Sequence, residues 1–302
     1  MLTFTKWQTL YQEFTKNTET SNVTLGDITL NEGNRKVLKA WSWPFLQRSA
    51  NITTVASQQS YDLPFNYAKA IAISVTISSQ KYTLTEITDR RTWNIINQTT
   101  SETSDIATYF FINGRKVEIY PKPSSAGNTI TVDYTIRVKD LSIADYTTGT
   151  ITTAPNGDET ITGDSTAWTD KMANRWLRIT DSDDENTGDV EWYEVASITS
   201  NTALELQETY NGPSIAAGTA SYILGQISDI PEDYQILPVY FASYMYWLPK
   251  ADRADKTLFF QSQYNESAKE LFNRFSGRSD DPVVDEGFGH DIIRNPNLFI
   301  TA

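Results

Sequence analysis

Few residues in this chain have the types and spacing that chemistry requires. His290 is the only histidine, and it sits in a glycine-rich context with Gly287 and Gly289. No serine or second histidine stands in register to build a triad or a metal site, both of which need several groups in a fixed geometry. Cysteine is absent, which removes disulfides, thiolate ligands and thiol nucleophiles together. One string looks like a metal loop, Asp181-Ser182-Asp183-Asp184-Glu185-Asn186. Carboxylates at alternate positions can converge on calcium, but Asn186 stands where such a loop needs glycine and Trp192 where it needs a bidentate glutamate. A solvated hairpin tip is the plainer reading, and calcium stays open. Two acids for glycoside hydrolysis could be drawn from the many nearby, yet nothing selects a pair. No glycine loop is built to cradle phosphate; Asn156-Gly157 and Gly212-Pro213 are turn signals. The expectation is no enzyme, no cofactor and no resident metal.

Three groups of apolar or aromatic residues could instead make contacts. Trp168, Trp176, Trp192, Tyr193 and Tyr210 could stack sugar rings, with Trp192, Tyr193 and Tyr210 as a candidate binding surface, or they could fill the core of a small β module. Tyr240, Tyr244, Tyr246 and Trp247 ring one helix on nearly all sides, which points to burial against more than one neighbour, a second subunit among them. From Ser276 to Ala302 glycine and proline leave no sustained period. Yet Val283, Val284, Phe288, Ile292, Ile293, Leu298, Phe299 and Ile300 are too apolar for a tail in water, so an arm docked on a neighbouring chain is expected.

These groups must be held by folded elements, and the chain has the means. It has 302 residues, 39% hydrophobic and 12% aromatic, enough for two compact units and too apolar for wholesale disorder. No basic-then-apolar leader and no long apolar run is readable, so a soluble chain without membrane contact is expected. The formal charge of −13 is unevenly placed: residues 143 to 225 hold fourteen Asp and Glu against three Lys and Arg. A block with its own charge balance reads as an inserted module. Its acidity argues against tight binding to a phosphate backbone, but suits a surface that DNA slides past.

Trp7, Leu10, Tyr11 and Phe14 predict a first helix by their spacing. A second is predicted from about Asp27 to Trp41, with Asp27 or Thr29 as cap, Gly33 weakening it by about 1 kcal/mol relative to alanine and Pro44 ending it. From Ile52 the pattern is β: a short strand at Ser60 to Leu63, alternation at Ile71, Ile73, Val75 and Ile77, another strand at Leu84 and Ile87, and a short helix or turn around Trp93. Tyr109 to Leu141 is predicted as a hairpin. Tyr109 to Phe111, Val117 and Ile119 mark its first strand and Ile130, Val132, Tyr134, Ile136 and Val138 its second. Pro121 and Pro123 bracket the turn. Short strands between Asn-Gly, Gly-Asp and Asp-rich turns predict an all-β sandwich or barrel for the acidic block, its ends Asp145 and Gly225 close together. Pro231 with Glu232 and Asp233 opens a helix that Pro249 stops, and a last helix runs from about Ala251 to Phe275.

The predicted class is α+β: a helical bundle of two N-terminal and two C-terminal helices, a small antiparallel β-sandwich or barrel of about five strands, and an inserted all-β domain. The expected boundaries are 1–50 for the N-terminal helices, 51–142 for the β domain, 143–225 for the acidic module, 226–275 for the C-terminal helices and 276–302 for the extended arm.

This order of parts resembles the head-to-tail adaptor (connector) proteins of tailed bacteriophages. The resemblance rests on Trp43-Pro44-Phe45-Leu46 after two helices, Tyr61-Asp62-Leu63-Pro64, Val117-Glu118-Ile119-Tyr120-Pro121-Lys122-Pro123 leading to Val132-Asp133-Tyr134, and Ile230-Pro231-Glu232-Asp233-Tyr234 before two terminal helices. It covers about residues 1–142 and 226–275. The insert separately looks like β modules of phage tail, baseplate and adaptor proteins, through Thr160-Ile161-Thr162-Gly163 with Trp168 and Thr202-Ala203-Leu204-Glu205-Leu206 with Tyr210-Asn211-Gly212. The resemblance implies a structural virion protein at the head-tail interface, assembled in the host cytoplasm. It implies a homo-oligomeric ring of about twelve copies that docks under the portal protein, extends the DNA channel with genomic DNA as passing cargo, and receives the tail or nozzle protein. Tail fibres are a further candidate partner. The alternative is a baseplate, tail or fibre-attachment component whose insert binds host glycans or a fibre.

Overall fold

The computed structural model describes residues 1–16, 20–98, 102–180 and 191–276. The chain divides into two compact units, Met1–Trp41 with Asp140–Ala302, and Ser42–Lys139. Among the described residues the fold is α+β, with five α-helices and several sheets. No helix there is long and apolar enough to cross a membrane.

The first unit holds four helices. Helix α1 (Phe4–Thr15) is capped by Thr3, whose side chain accepts from the Lys6 N–H, and buries Phe4, Trp7 and Tyr11 along the expected stripe. Helix α2 (Thr20–Lys39) starts well before the predicted Asp27. Its first turns carry too little apolar residue to betray a period, and Asp27 caps nothing: its carboxylate accepts from the Gln8 side chain of α1 at 2.8 Å. After a 3-10 turn at Glu232–Tyr234 comes helix α4 (Leu237–Trp247), and α5 (Ala254–Phe275) runs back along it. Helices α1, α2 and α5 all pack on α4. Phe14 of α1 stacks on Tyr240 at 6.1 Å, and Phe241 meets Tyr264 of α5 at 5.7 Å.

The second unit corrects the predicted hairpin. It contains two four-stranded sheets rather than about five strands. In one, β1 (Gln47–Thr53), β8 (Thr129–Ile136), β3 (Tyr67–Ile77) and β4 (Gln80–Thr83) lie in that order. In the other the order is β2 (Ser60–Asp62), β7 (Lys116–Tyr120), β6 (Tyr109–Asn113) and β5 (Thr85–Glu86). The true hairpin joins β6 to β7 through Gly114-Arg115, where Gly114 takes the positive φ of +62° that so tight a loop requires. Pro121 and Pro123 donate nothing to a ladder, so β7 ends there and the chain crosses to the other sheet. There β8 is a central strand, and its alternating stripe buries Ile130, Val132, Tyr134 and Ile136. The predicted stripe on β3 breaks at one place. The register slips between Ala70 and Ala72, which turns Ile71 out to 50% exposure while Ile73 and Val75 stay buried. The short helix α3 (Arg90–Ile96) forms as expected, capped by Asp89, with Trp93 stacked on Phe111 and donating to Glu118 at 2.8 Å.

The acidic block is a closed six-stranded barrel within the first unit, in the order β10 (Thr160–Asp164), β13 (Ala203–Leu206), β12 (Tyr193–Ser200), β11 (Trp176–Thr180), β14 (Ile215–Gly225) and β9 (Thr150–Ala154). Ile151, Ile161, Leu177, Val195, Leu204 and Leu224 fill it. Closure leaves no free edge strand. The ends of the block do meet: Tyr146 and Leu224 exchange two backbone hydrogen bonds of 2.9 and 3.0 Å.

Gly33 sits mid-helix where α2 crosses α4. A Cβ there would lie 3.0 Å from both Phe241 Cδ1 and Pro238 Cα, so the absent side chain sets the distance between the two helices. Gly33→Val should therefore destabilise the protein by about 2 kcal/mol through overpacking, read as a lower denaturation midpoint. An unchanged midpoint would show that the helices can separate freely.

Candidate interaction surfaces

The aromatic helix makes ring contacts within the chain. Tyr240 lies between Phe14 and Phe260, and Tyr246 meets Tyr11 edge-on at 6.2 Å and Trp247 at 5.0 Å. Lys250 stands over Tyr246 at 3.4 Å, a cation against a ring face. Tyr244 is 9% exposed. Within the chain the neighbours of these rings come from α1 and α5, and Tyr240, Tyr246 and Trp247 keep part of their surface exposed.

In the helices of the first unit and the turn between α4 and α5, five large apolar residues face water. Leu25 and Ile28 are exposed on the first half of α2, Leu248 just after α4, and Leu258 and Phe259 at the start of α5. Helix α2 runs antiparallel to α4, since Gly33 meets Pro238 and Phe241 while Gly26 meets Tyr11, the partner of Tyr246. All five therefore belong to one end of the helical part. Sequence reasoning missed this end because an exposed leucine looks the same on paper as a buried one.

On the barrel, the proposed sugar-stacking surface dissolves. Tyr210 is fully buried and Tyr193 is 7% exposed, their rings 5.4 Å apart in the core. Trp168 is also core, its Nε1 donating to the Tyr222 hydroxyl at 2.9 Å. Trp176 and Trp192 remain half-buried, the latter with the Arg178 guanidinium 5.9 Å from its ring. The reason is room: so small a barrel is filled by its inward side chains, and large aromatics fill it best. Exposed Asp158, Glu159, Asp164, Asp170, Glu191 and Glu208 still give the barrel an acidic surface. Among the described residues no three His, Asp or Glu side chains are grouped to hold a metal. Asp181 to Asn186, His290, and the arm residues Val283, Val284, Phe288, Ile292, Ile293, Leu298, Phe299 and Ile300 lie outside the described residues.

The barrel is rooted on the start of α1. Thr3 pairs with Ile227, the Phe4 N–H donates to the Gln226 carbonyl at 2.9 Å, and the Asp145 N–H donates to Thr5 Oγ1 at 2.9 Å. The Thr3 hydroxyl donates to the Asp145 carboxylate at 2.7 Å. Asp145 Oδ1 is buried without a hydrogen-bond partner. Burial pushes the Asp145 carboxyl above its ordinary range, against the pull of the Thr3 and Thr5 hydrogen bonds and of nearby Arg175. Arg175, 6% exposed, is itself lowered by burial, with Asp145 the opposing influence. Composition marked Asp145 as the edge of the insert, but nothing in the sequence tied it to Thr3 and Thr5.

A family model described as SU10 adaptor protein matches residues 8–161, from α1 through both sheets of the second unit into β10 of the barrel. No curated protein matches the chain.

Since the folded state raises the Asp145 pKa, its carboxylate is a liability that grows as pH rises through the folded value and disappears below the unfolded one. Asp145→Asn should therefore raise the melting temperature at about pH 8, with the gain fading towards about pH 3 where the wild-type acid is protonated in both states. A loss of stability at pH 8 would show instead that the charge pairing with Arg175 dominates.

Proposed function

Because the chain belongs to the SU10 adaptor protein family, the head-to-tail adaptors of tailed phages, we propose that it is a structural ring protein of the virion, repeated in about twelve copies beneath the portal. In this reading it extends the DNA channel, binds the portal above and receives the tail or nozzle protein below, with tail fibres a further contact. Assembly takes place in the host cytoplasm. The observation that carries the proposal is the family match itself, which covers most of α1, all of α2 and the whole of the second unit.

Two structural features support it. One end of the helical part leaves Leu25, Ile28, Leu248, Leu258 and Phe259 in water, where neighbouring copies in a ring would cover them. The acidic barrel suits a wall that DNA passes: like charges repel the phosphate backbone, and no cluster of Lys and Arg is there to hold it. The glycan-binding alternative is not favoured, because Tyr193 and Tyr210 are inside the barrel.

The arm supplies the grip on the portal through Val283, Val284, Phe288, Ile292, Ile293, Leu298, Phe299 and Ile300. Weak contacts repeated around a ring multiply into stable attachment. In the full-length chain, Leu298→Asp with Phe299→Asp should abolish co-sedimentation with purified portal while leaving the melting temperature unchanged. Undiminished portal binding by that variant would remove the arm from the proposal.

A further inference from the structure

Strand β3 is flanked on one side along only part of its length. Its pairing with β4 runs from Ser74 to Ile77. The Leu84 N–H still donates to the Ile73 carbonyl at 2.8 Å, and there the chain leaves for the other sheet as β5. Tyr67 to Ala72 therefore have β8 on one side and no strand on the other. Two register slips in this stretch leave Ala68 and Ile71 outside the ladder with β8. The backbone groups of such extra residues go unpaired in their own sheet and want partners. The open stretch is as long as an ordinary strand.

A cavity of about 330 Å³ lies beside this edge, a size that suits a binding pocket. Its lining comes from both sheets of the second unit: Tyr67 and Lys69 from the open half of β3, Ile112 and Arg115 from the β6–β7 hairpin, Glu86 from β5, and Leu63 from the loop after β2. Lys69 and Arg115 are exposed and, among the described residues, stand in no ion pair. Neighbouring Lys116, in contrast, is held by Asp62 at 3.6 Å. Two cations against the single acid Glu86 leave the cavity positive. Bulges and a lysine are also the means by which proteins keep an edge from pairing, but that purpose needs no cavity.

We propose that this slot takes an extended, acid-bearing segment of another polypeptide, which continues the line of β4 along β3 and sets its carboxylates against Lys69 and Arg115. Strand addition supplies main-chain hydrogen bonds, while the cavity and its cations select the side chains. A nucleic acid is also anionic, but it has no peptide backbone with which to extend a sheet. The proposal rests on the second unit alone and stands whether or not the chain forms a ring.

The test uses the full-length protein and a short labelled peptide alternating valine with aspartate, followed by fluorescence anisotropy. The peptide should bind saturably, and its counterpart with lysine for aspartate should bind at least about tenfold more weakly. Lys69→Glu with Arg115→Glu should weaken the aspartate peptide by a similar factor; both side chains are exposed, so the melting temperature should not move. An added strand bonds to β3 through one edge only. Methylating every second amide nitrogen of the peptide should therefore abolish binding in one frame and spare it in the other. No saturable binding, equal binding of the lysine peptide, undiminished binding by the double variant, or full binding in both methylated frames overturns the proposal. So does displacement of the peptide by oligothymidylate, which would make the slot a site for phosphate.

Discussion

A helix in which Leu237, Pro238, Val239, Phe241, Ala242 and Ser243 are all buried leaves only part of Tyr240, Met245, Tyr246 and Trp247 to water, so other elements must cover it from several directions at once. In this chain they come from both ends of the sequence. Helices α1 and α2 precede α4 by some two hundred residues and α5 follows it directly. Everything between is then an excursion that leaves after α2 and returns before α4. The entropic cost of so long a closure grows only slowly, by about 0.6 kcal/mol for each doubling of length, so a whole β unit and a barrel can be carried between helices that must meet. Gly33 is where this constraint is tightest, since the backbone of α2 comes within van der Waals reach of Phe241 and Pro238 with no side chain between.

The barrel obeys a different economy. It is closed, so it has no edge to protect, and its core of Ile151, Ile161, Leu177 and Leu204 is its own. Its attachment to α1 is polar: hydroxyls of Thr3 and Thr5, backbone of Phe4, and a partly buried acid whose nearest cation is Arg175. Buried charge contributes little stability and often costs some, but it restricts the arrangements in which its partners are satisfied. A joint of this kind restricts how the barrel meets the helix it stands on.

Much of this was legible in the sequence where a period and its partner lay close together. The stripe of α1, the short helix around Trp93 and the alternation of β8 were all readable from neighbouring residues. The composition of residues 143–225 marked a separate β module, and their short strands and turns left sandwich and barrel both open. What failed was pairing. Nothing local shows that Val132 lies between β1 and β3 instead of opposite Val117, or that Gly114 makes the tight turn rather than the prolines. The extra residue at Ile71 is likewise invisible, because a bulge is decided by both strands. Tyr193 and Tyr210 carry the same letters whether they line a sugar site or fill a barrel, and only closure of the sheet decides. The sequence could not say which elements would meet the aromatics of α4; within the chain α1 and α5 supply partners for Tyr240 and Tyr246.

Family membership makes the chain a phage head-to-tail adaptor, and the role proposed for it is that of a body repeated about an axis. The mass and rotational symmetry of the purified protein, alone and after mixing with purified portal, test that claim most directly. The account predicts a monomer that becomes a closed ring, coaxial with the portal, only once the portal is added. A chain that stays monomeric beside the portal, or binds it without rotational symmetry, would contradict it.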